Sequence, residues 1–248
     1  MMTTNDDPVY SYNKLYQKKK LRAWIDLSTF CNAGCPQCGR TNAKTNGKVS
    51  WLPLIQWSLA EFKKGFSPKT LQHITSFQLC GSFGDPMMNK DIFAICEYII
   101  NNSDAFIEIN TNGSMRDEFW WTHLGYIIKD RGRIYFCVDG IDQEMHEMYR
   151  QKTNLELVLT NMEAYSTFGI ASCFTIVFKH NEDHLKAIYK MTEDRIGEHY
   201  HLFVPSDRAY HLDKFEFNDH KGNKQFLEHS PKYTKKLRRD SFEVKDIL

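Results

Sequence analysis

The stretch "STFCNAGCPQCGR", Ser28–Arg40, holds three of the chain's seven cysteines, Cys31, Cys35 and Cys38. It directly follows "RAWIDLS" (Arg22–Ser28), a short apolar and β-branched run of strand character. A cluster of thiols on the loop after a first strand is the element from which the fold and chemistry are read. Outward from it, strand-like runs alternate with amphipathic stretches, the pattern of βα units around a parallel sheet. The strands are expected at Arg22–Ser28, "ITSFQLC" (Ile74–Cys80), "AFIEINTNG" with its turn (Ala105–Gly113), "RIYFCVDG" (Arg133–Gly140), "ASCFTIVF" (Ala171–Phe178) and "YHLFVP" (Tyr200–Pro205). The helices between them are expected at Pro53–Phe66, with Leu54, Trp57, Leu59, Phe62 and Phe66 as its stripe, then at Lys90–Ser103, Asp117–Asp130, Asn154–Gly169 and Glu182–Gly197. Gly169 is expected to close its helix as a C-cap.

Six strands with right-handed crossovers fit either a partial (βα)6 barrel or a flat doubly wound sheet. In both, ligands gather at the carboxyl ends of the strands. Cys31–Cys38, Gly84-Asp85-Pro86, Thr111-Asn112-Gly113, Asp139-Gly140 and Asn181 all follow expected strands, so five loops would face one mouth. The expected division is an N-terminal extension (1–20), an α/β barrel (21–206) and an irregular C-terminal extension (207–248) covering the mouth, in which "KFEFND" is a candidate extra strand.

The chain has 248 residues and a net charge of +1, with 42% hydrophobic and 14% aromatic residues. That composition builds a full core. The balanced charge argues against a dedicated nucleic-acid binder. The basic runs "YQKKKLR" (Tyr16–Arg22) and "KYTKKLRR" (Lys232–Arg239) read as solvated ends or as local help for an anionic partner. No signal-peptide h-region and no apolar run of membrane-spanning length is present, so a cytoplasmic protein without membrane contact is expected. In that compartment clustered thiols read as metal or catalytic groups before disulfides.

The C-x3-C-x2-C spacing supplies three thiolates. A closed zinc site wants four ligands, and no second Cys/His pair stands nearby; His73 falls before the second strand. Three thiolates suit three irons of a cubane [4Fe–4S] cluster whose fourth iron has no protein ligand. Cys80, Cys96, Cys137 and Cys173 lie along expected strands and a helix and read as core, with Cys137 the exception because it precedes Asp139 at the mouth. Asp85 reads equally as a helix cap, Gly84 and Gly113 as turn residues, Asp139-Gly140 as a tight turn, and Arg150 as a surface ion-pair partner. Met87 and Met88 read as core. None of the ten histidines falls in a zinc-protease pair, and no phosphate-binding P-loop is present.

Over residues 22 to 206 the chain resembles the radical S-adenosylmethionine (radical SAM) enzymes, in the short form similar to phage-encoded members. The resemblance rests on C-x3-C-x2-C after the first strand, "FGDP" (Phe83–Pro86), "NTNG" (Asn110–Gly113), "CVDGID…HEMYR" (Cys137–Arg150) and "VFKHN" (Val177–Asn181). It implies a partial barrel and a [4Fe–4S] cluster on Cys31, Cys35 and Cys38. It also implies S-adenosylmethionine (SAM) bound with help from Phe83, Gly84, Asp85, Asn110, Asn112, Asp139, Arg150, Asn181 and Val204. The implied reaction is reductive cleavage of SAM to a 5′-deoxyadenosyl radical that takes hydrogen from a peptide or protein side chain or a small metabolite. Electrons would come from a flavodoxin or ferredoxin, and Cys137 is a candidate hydrogen-atom donor. The alternative is a non-catalytic iron–sulfur or zinc protein for interaction or electron transfer. Two positions depart from the family: Gln37 stands where an aromatic residue often precedes the third cysteine, and Asp85 stands in place of Glu. After Cys173 there is no further cysteine, so a single cluster is expected.

Overall fold

The computed structural model describes residues 21–80, 82–206, 208–209 and 211–233, together with the backbone of 242–243. The N-terminal extension and most of the basic run Lys232–Arg239 lie outside the described residues. Six parallel strands form the main sheet in chain order: β1 (Leu21–Ile25), β4 (Ile74–Cys80), β5 (Phe106–Thr111), β6 (Gly132–Cys137), β7 (Ile170–Val177) and β8 (His201–Pro205). The sheet curls into a half-barrel. Its far edge carries a short antiparallel strand, β11 (Phe242–Glu243), on β8.

Alternation along each strand sorts the side chains. On β5, Ile107 and Ile109 are fully buried against the helices, whereas Glu108 and Asn110 turn to the concave side and are only half-buried. The helices α3 (Ile92–Asn102), α4 (Glu118–Ile128), α6 (Leu155–Ser166) and α7 (Leu185–Ile196) cover the convex side, whereas α5 (Gln143–Tyr149) brings Tyr149 to the concave cavity. Trp121, Phe136 and Tyr165 lock α4, β6 and α6 together through edge and tilted ring contacts at 4.9–6.4 Å.

The helix expected over Pro53–Phe66 starts later and is shorter. It is α1 (Leu59–Gly65), followed by α2 (Pro68–Leu71). The apolar spacing of Leu54 and Trp57 imitates a helical stripe, but Ser58 and Glu61 form a capping box that starts the helix behind them. The residues before it are extended and run along the cysteine loop: Thr29 N donates to Ile55 O at 3.0 Å and Trp57 N to Leu27 O at 3.0 Å. Gly169 is not the expected C-cap either. α6 ends at Ser166 with Thr167 still helical, and Gly169 is required because a Cβ there would stand 2.4 Å from the Tyr165 ring.

The C-terminal region forms a hairpin of β9 (Lys214–Asn218) and β10 (Lys224–Glu228), turning at Gly222 with φ +86°. Asn218 N donates to Ala43 O at 2.7 Å, beside the small hairpin of β2 (Thr41–Asn42) and β3 (Gly47–Lys48). Lys179 N donates to Glu228 O at 3.1 Å. Phe217 and Leu227 complete a second apolar cluster with Ala33, Cys35, Tyr149 and Phe178. Among the described residues no helix is long and apolar enough to cross a membrane.

Candidate active site

The concave side of the half-barrel encloses a cavity of about 500 Å³ lined by Cys31, Cys35 and Cys38. Gly84, Asp85, Asn110, Asn112, Cys137 and Arg150 line it too. A second hollow of about 570 Å³, between α3 and α4, is lined by none of these groups.

The cysteine loop is fastened on both flanks. Cys38 N donates to Cys35 O at 3.0 Å, Gly34 N to Gln151 O at 2.9 Å, and Asp85 N to Phe30 O at 2.8 Å. The last contact needs Gly84, because a Cβ there would fall 2.0 Å from Ser28 O and 2.8 Å from Thr29 Cα. Gln37 accepts from Ser206 Oγ at 2.8 Å through its side chain and from Arg208 at 2.9 Å through its carbonyl. The polar residue at this position therefore ties the loop to the end of β8.

The loop thiols fit an iron–sulfur cluster. All three face one cavity of about 500 Å³, which leaves room for a polynuclear group. Three N–H donors point at the sulfurs: Ala33 N at 3.4 Å and Asn112 Nδ2 at 3.7 Å from Cys31 Sγ, and Arg150 Nη1 at 3.8 Å from Cys35 Sγ. Such hydrogen bonds tune a cluster's potential. Burial raises the Cys31 thiol above its ordinary value, and nearby Asp85 adds to this. Burial pushes Cys35 up to about 11 against the opposing pull of Arg150. Bound iron must displace both protons.

Asp85 is buried, and its carboxylate is spent inside the protein. It accepts from Met87 N at 3.0 Å, from Asn112 N at 2.8 Å, from Asn112 Nδ2 at 2.7 Å and from Thr111 Oγ1 at 3.0 Å. The side chain thus joins the turns after β4 and β5. Burial raises its pKa, and these donors oppose the rise.

Asp139 pairs with Arg150 through Nε and accepts from Ile176 N at 2.6 Å. Burial raises Asp139, with Arg150 opposing. Burial works against the Arg150 charge, but Asp139 and its other neighbours outweigh it. Asn181 donates to Asp139 O and Ile176 O, each at 3.0 Å, and accepts from Phe178 N at 2.8 Å. His146 Nδ1 accepts from Asp139 N at 3.2 Å, and Nε2 faces Thr153 Oγ1 at 3.0 Å. Burial, then Arg150, lowers His146 to about 3, so it stays neutral. The segment Asp139–Arg150 is therefore one clamp that aims a guanidinium at the cysteine loop.

Of the residues singled out in the sequence, Phe83, Asp139, Asn181 and Val204 stand back from the cavity surface. Phe83 packs edge-on against Trp51 at 5.6 Å. Val204 pairs with Ile176 in the sheet register. Sequence reading missed Trp24, Gln78, Glu108, Tyr135, Tyr149, Phe174 and Arg208, all of which line the cavity. Alternate positions on β4–β7 are the signal that would have found several of them.

The sequence model of the Radical SAM superfamily matches residues 25–192. No curated protein matches the sequence. The solved structure of anSMEcpe with bound AdoMet is similar at a TM-score of 0.55 and 15% identity, over 74% of this chain and 50% of that one. Streptococcus suis SuiB bound to S-adenosylmethionine is similar at 0.55 and 12% identity, over 75% and 43%. SuiB bound to precursor peptide SuiA gives 0.53 and 12% identity, over 75% and 42%. At these identities the likeness is one of fold, and the chain spans half or less of the length of those proteins.

Proposed function

Because the chain belongs to the radical SAM superfamily, whose enzymes use a [4Fe–4S] cluster and SAM, we propose that it generates a 5′-deoxyadenosyl radical to take hydrogen from a peptide or protein side chain. When bound, the cluster and SAM supply reductive cleavage of the sulfonium, and a flavodoxin or ferredoxin is the class of reductant. The observation that carries this reading is the placing of Cys31, Cys35, Cys38, Gly84, Asn112 and Arg150 around one cavity at the carboxyl ends of the strands.

Cys31, Cys35 and Cys38 hold the irons. Gly84 keeps the backbone of "FGDP" against the cysteine loop, close to where the SAM amino group docks. Asn110 and Asn112 present amides to the cavity, and Asp85 positions Asn112. Arg150 meets the SAM carboxylate, held in place by Asp139 and Asn181, while Phe83 and Val204 act as packing beside the bound molecule. Cys137 keeps its proton, because burial pushes it up to about 12. We assign it the return of a hydrogen atom to the substrate radical, with the resulting thiyl reduced by one electron from the same reductant and reprotonated from solvent. Support for a peptide substrate comes from the open cavity beside exposed Trp24 and from a structural neighbour, SuiB, that binds a precursor peptide. A small metabolite is the competing outcome.

One observation favours a second reading. Cys80 and Cys137 line the same cavity, and a fully ligated, non-catalytic cluster would draw its fourth thiolate from one of them. Anaerobic reconstitution separates the two readings. The proposed enzyme keeps its cluster in Cys80→Ala and Cys137→Ala variants and releases 5′-deoxyadenosine from SAM with dithionite. Cys35→Ala loses both cluster and product. Loss of the cluster in Cys80→Ala or Cys137→Ala, with no SAM cleavage by the parent, would establish the non-catalytic reading.

A further inference from the structure

On the convex side of the sheet, β7 and β8 carry a second cluster of metal-ligand side chains. Cys173 and His201 are register partners on these strands, and His199 lies two residues before His201. One ligand atom of each lies within 4.8 Å of the other two, and no other such set of three occurs among the described residues. Cys173 and His201 are buried and His199 is half-buried.

Hydrogen bonding fixes which nitrogens are bare. Thr175 Oγ1 donates to Val138 O, so its lone pair accepts from His201 Nε2 at 2.8 Å. His201 Nδ1 is then a buried acceptor, and it has no partner. His199 Nδ1 lies 2.9 Å from Gly197 O, to which only an N–H can donate. Its Nε2 lone pair faces Thr192 Oγ1 at 3.1 Å, whose single proton is already drawn by Tyr189 O at 2.9 Å. Each imidazole is thus anchored through one N–H to an oxygen and offers the other nitrogen, as metal-ligating histidines do. Burial keeps both rings neutral, the form that binds metal. A purely apolar core would leave His201 Nδ1 desolvated without return.

We propose that Cys173, His199 and His201 form a zinc site, separate from the cysteine loop, with water in the fourth position on the half-exposed His199 side. One thiolate and two imidazoles are a donor set that zinc accepts. On binding, the Cys173 thiol gives its proton to solvent and the sulfur bonds the metal. The ion then fastens the segment after α7 to β7 and β8.

The test begins with the full-length Cys31→Ala/Cys35→Ala/Cys38→Ala variant, in which no loop thiol can bind metal. It should take up one Co²⁺ per chain with a thiolate-to-cobalt charge-transfer band, and Zn²⁺ should displace it. Adding Cys173→Ala should abolish the band. His199→Gln should weaken binding at least tenfold, and Thr175→Val by about ten- to a hundredfold. Elemental analysis of the reconstituted wild-type holoprotein, cluster in place, should show about one zinc per chain. No stoichiometric uptake, or a band and affinity unmoved by Cys173→Ala and His199→Gln, overturns the proposal. If Cys173→Ala fails to fold, His199→Gln, at a half-exposed position, decides alone.

Discussion

The Asp139–Arg150 pair shows how much can rest on one side chain. Both groups are buried, so removing one charge strands the other. Asp139→Asn is expected to destabilise the protein by about 3–5 kcal/mol, read from denaturant unfolding, and to weaken SAM binding because Arg150 loses its aim. An unchanged unfolding midpoint would show that Arg150 finds other partners. His146 and His180 give a second test. Burial lowers them to about 3 and about 4. Between those values and the ordinary 6.5 the unfolded chain binds the extra protons, so stability falls as pH falls. Each group contributes up to about 1.4 kcal/mol per pH unit there. Asp85 and Asp139, raised by burial, act in the opposite sense, so the histidine contribution is read as the difference between parent and variant over pH 5 to 7. His146→Gln should flatten the slope of the unfolding midpoint against pH in that window.

At the scale of elements, the junction between the cysteine loop and the turn after β4 tolerates no side chain. Gly84→Ala would push against backbone atoms of Ser28 and Thr29, none of which can rotate away. Iron retained after reconstitution should drop several-fold, whereas Gly197→Ala, with open space around its Cβ position, should cost stability through its left-handed φ of +75° and leave iron content intact. Helix α1 offers a milder case: Ser58→Ala removes the capping box and should cost about 1 kcal/mol. Strand order and the placing of the polar loops were legible because β-branched runs alternate with turn signals. The start of α1 was not, because Leu54 and Trp57 keep helical spacing while lying in an extended segment whose backbone is hydrogen-bonded to Leu27 and Thr29. The Cys173–His199–His201 group was equally hidden: register joins Cys173 to His201, 28 positions on in the chain, a relation absent from local spacing.

For the whole molecule, the half-barrel is completed at the cysteine loop by the β9–β10 hairpin, which covers Cys35, Tyr149 and Phe178 with Phe217 and Leu227. Ending the chain after Ser206 should lower the unfolding temperature and speed the bleaching of the reconstituted cluster in air, followed by its visible absorbance. Equal bleaching rates would mean that the hairpin shields nothing. The clamp from Asp139 to Arg150 was partly legible as a motif. The tie from Gln37 to Ser206 and Arg208 was not, since it joins the first turn of the barrel to the end of the last strand.

The hairpin's position in the chain has a consequence for biogenesis. Residues 214–228 leave the ribosome after all six strands have emerged. Until they dock, the apolar cluster around Cys35 lacks Phe217 and Leu227. Closure of this side of the cysteine loop is therefore among the last steps of folding during translation.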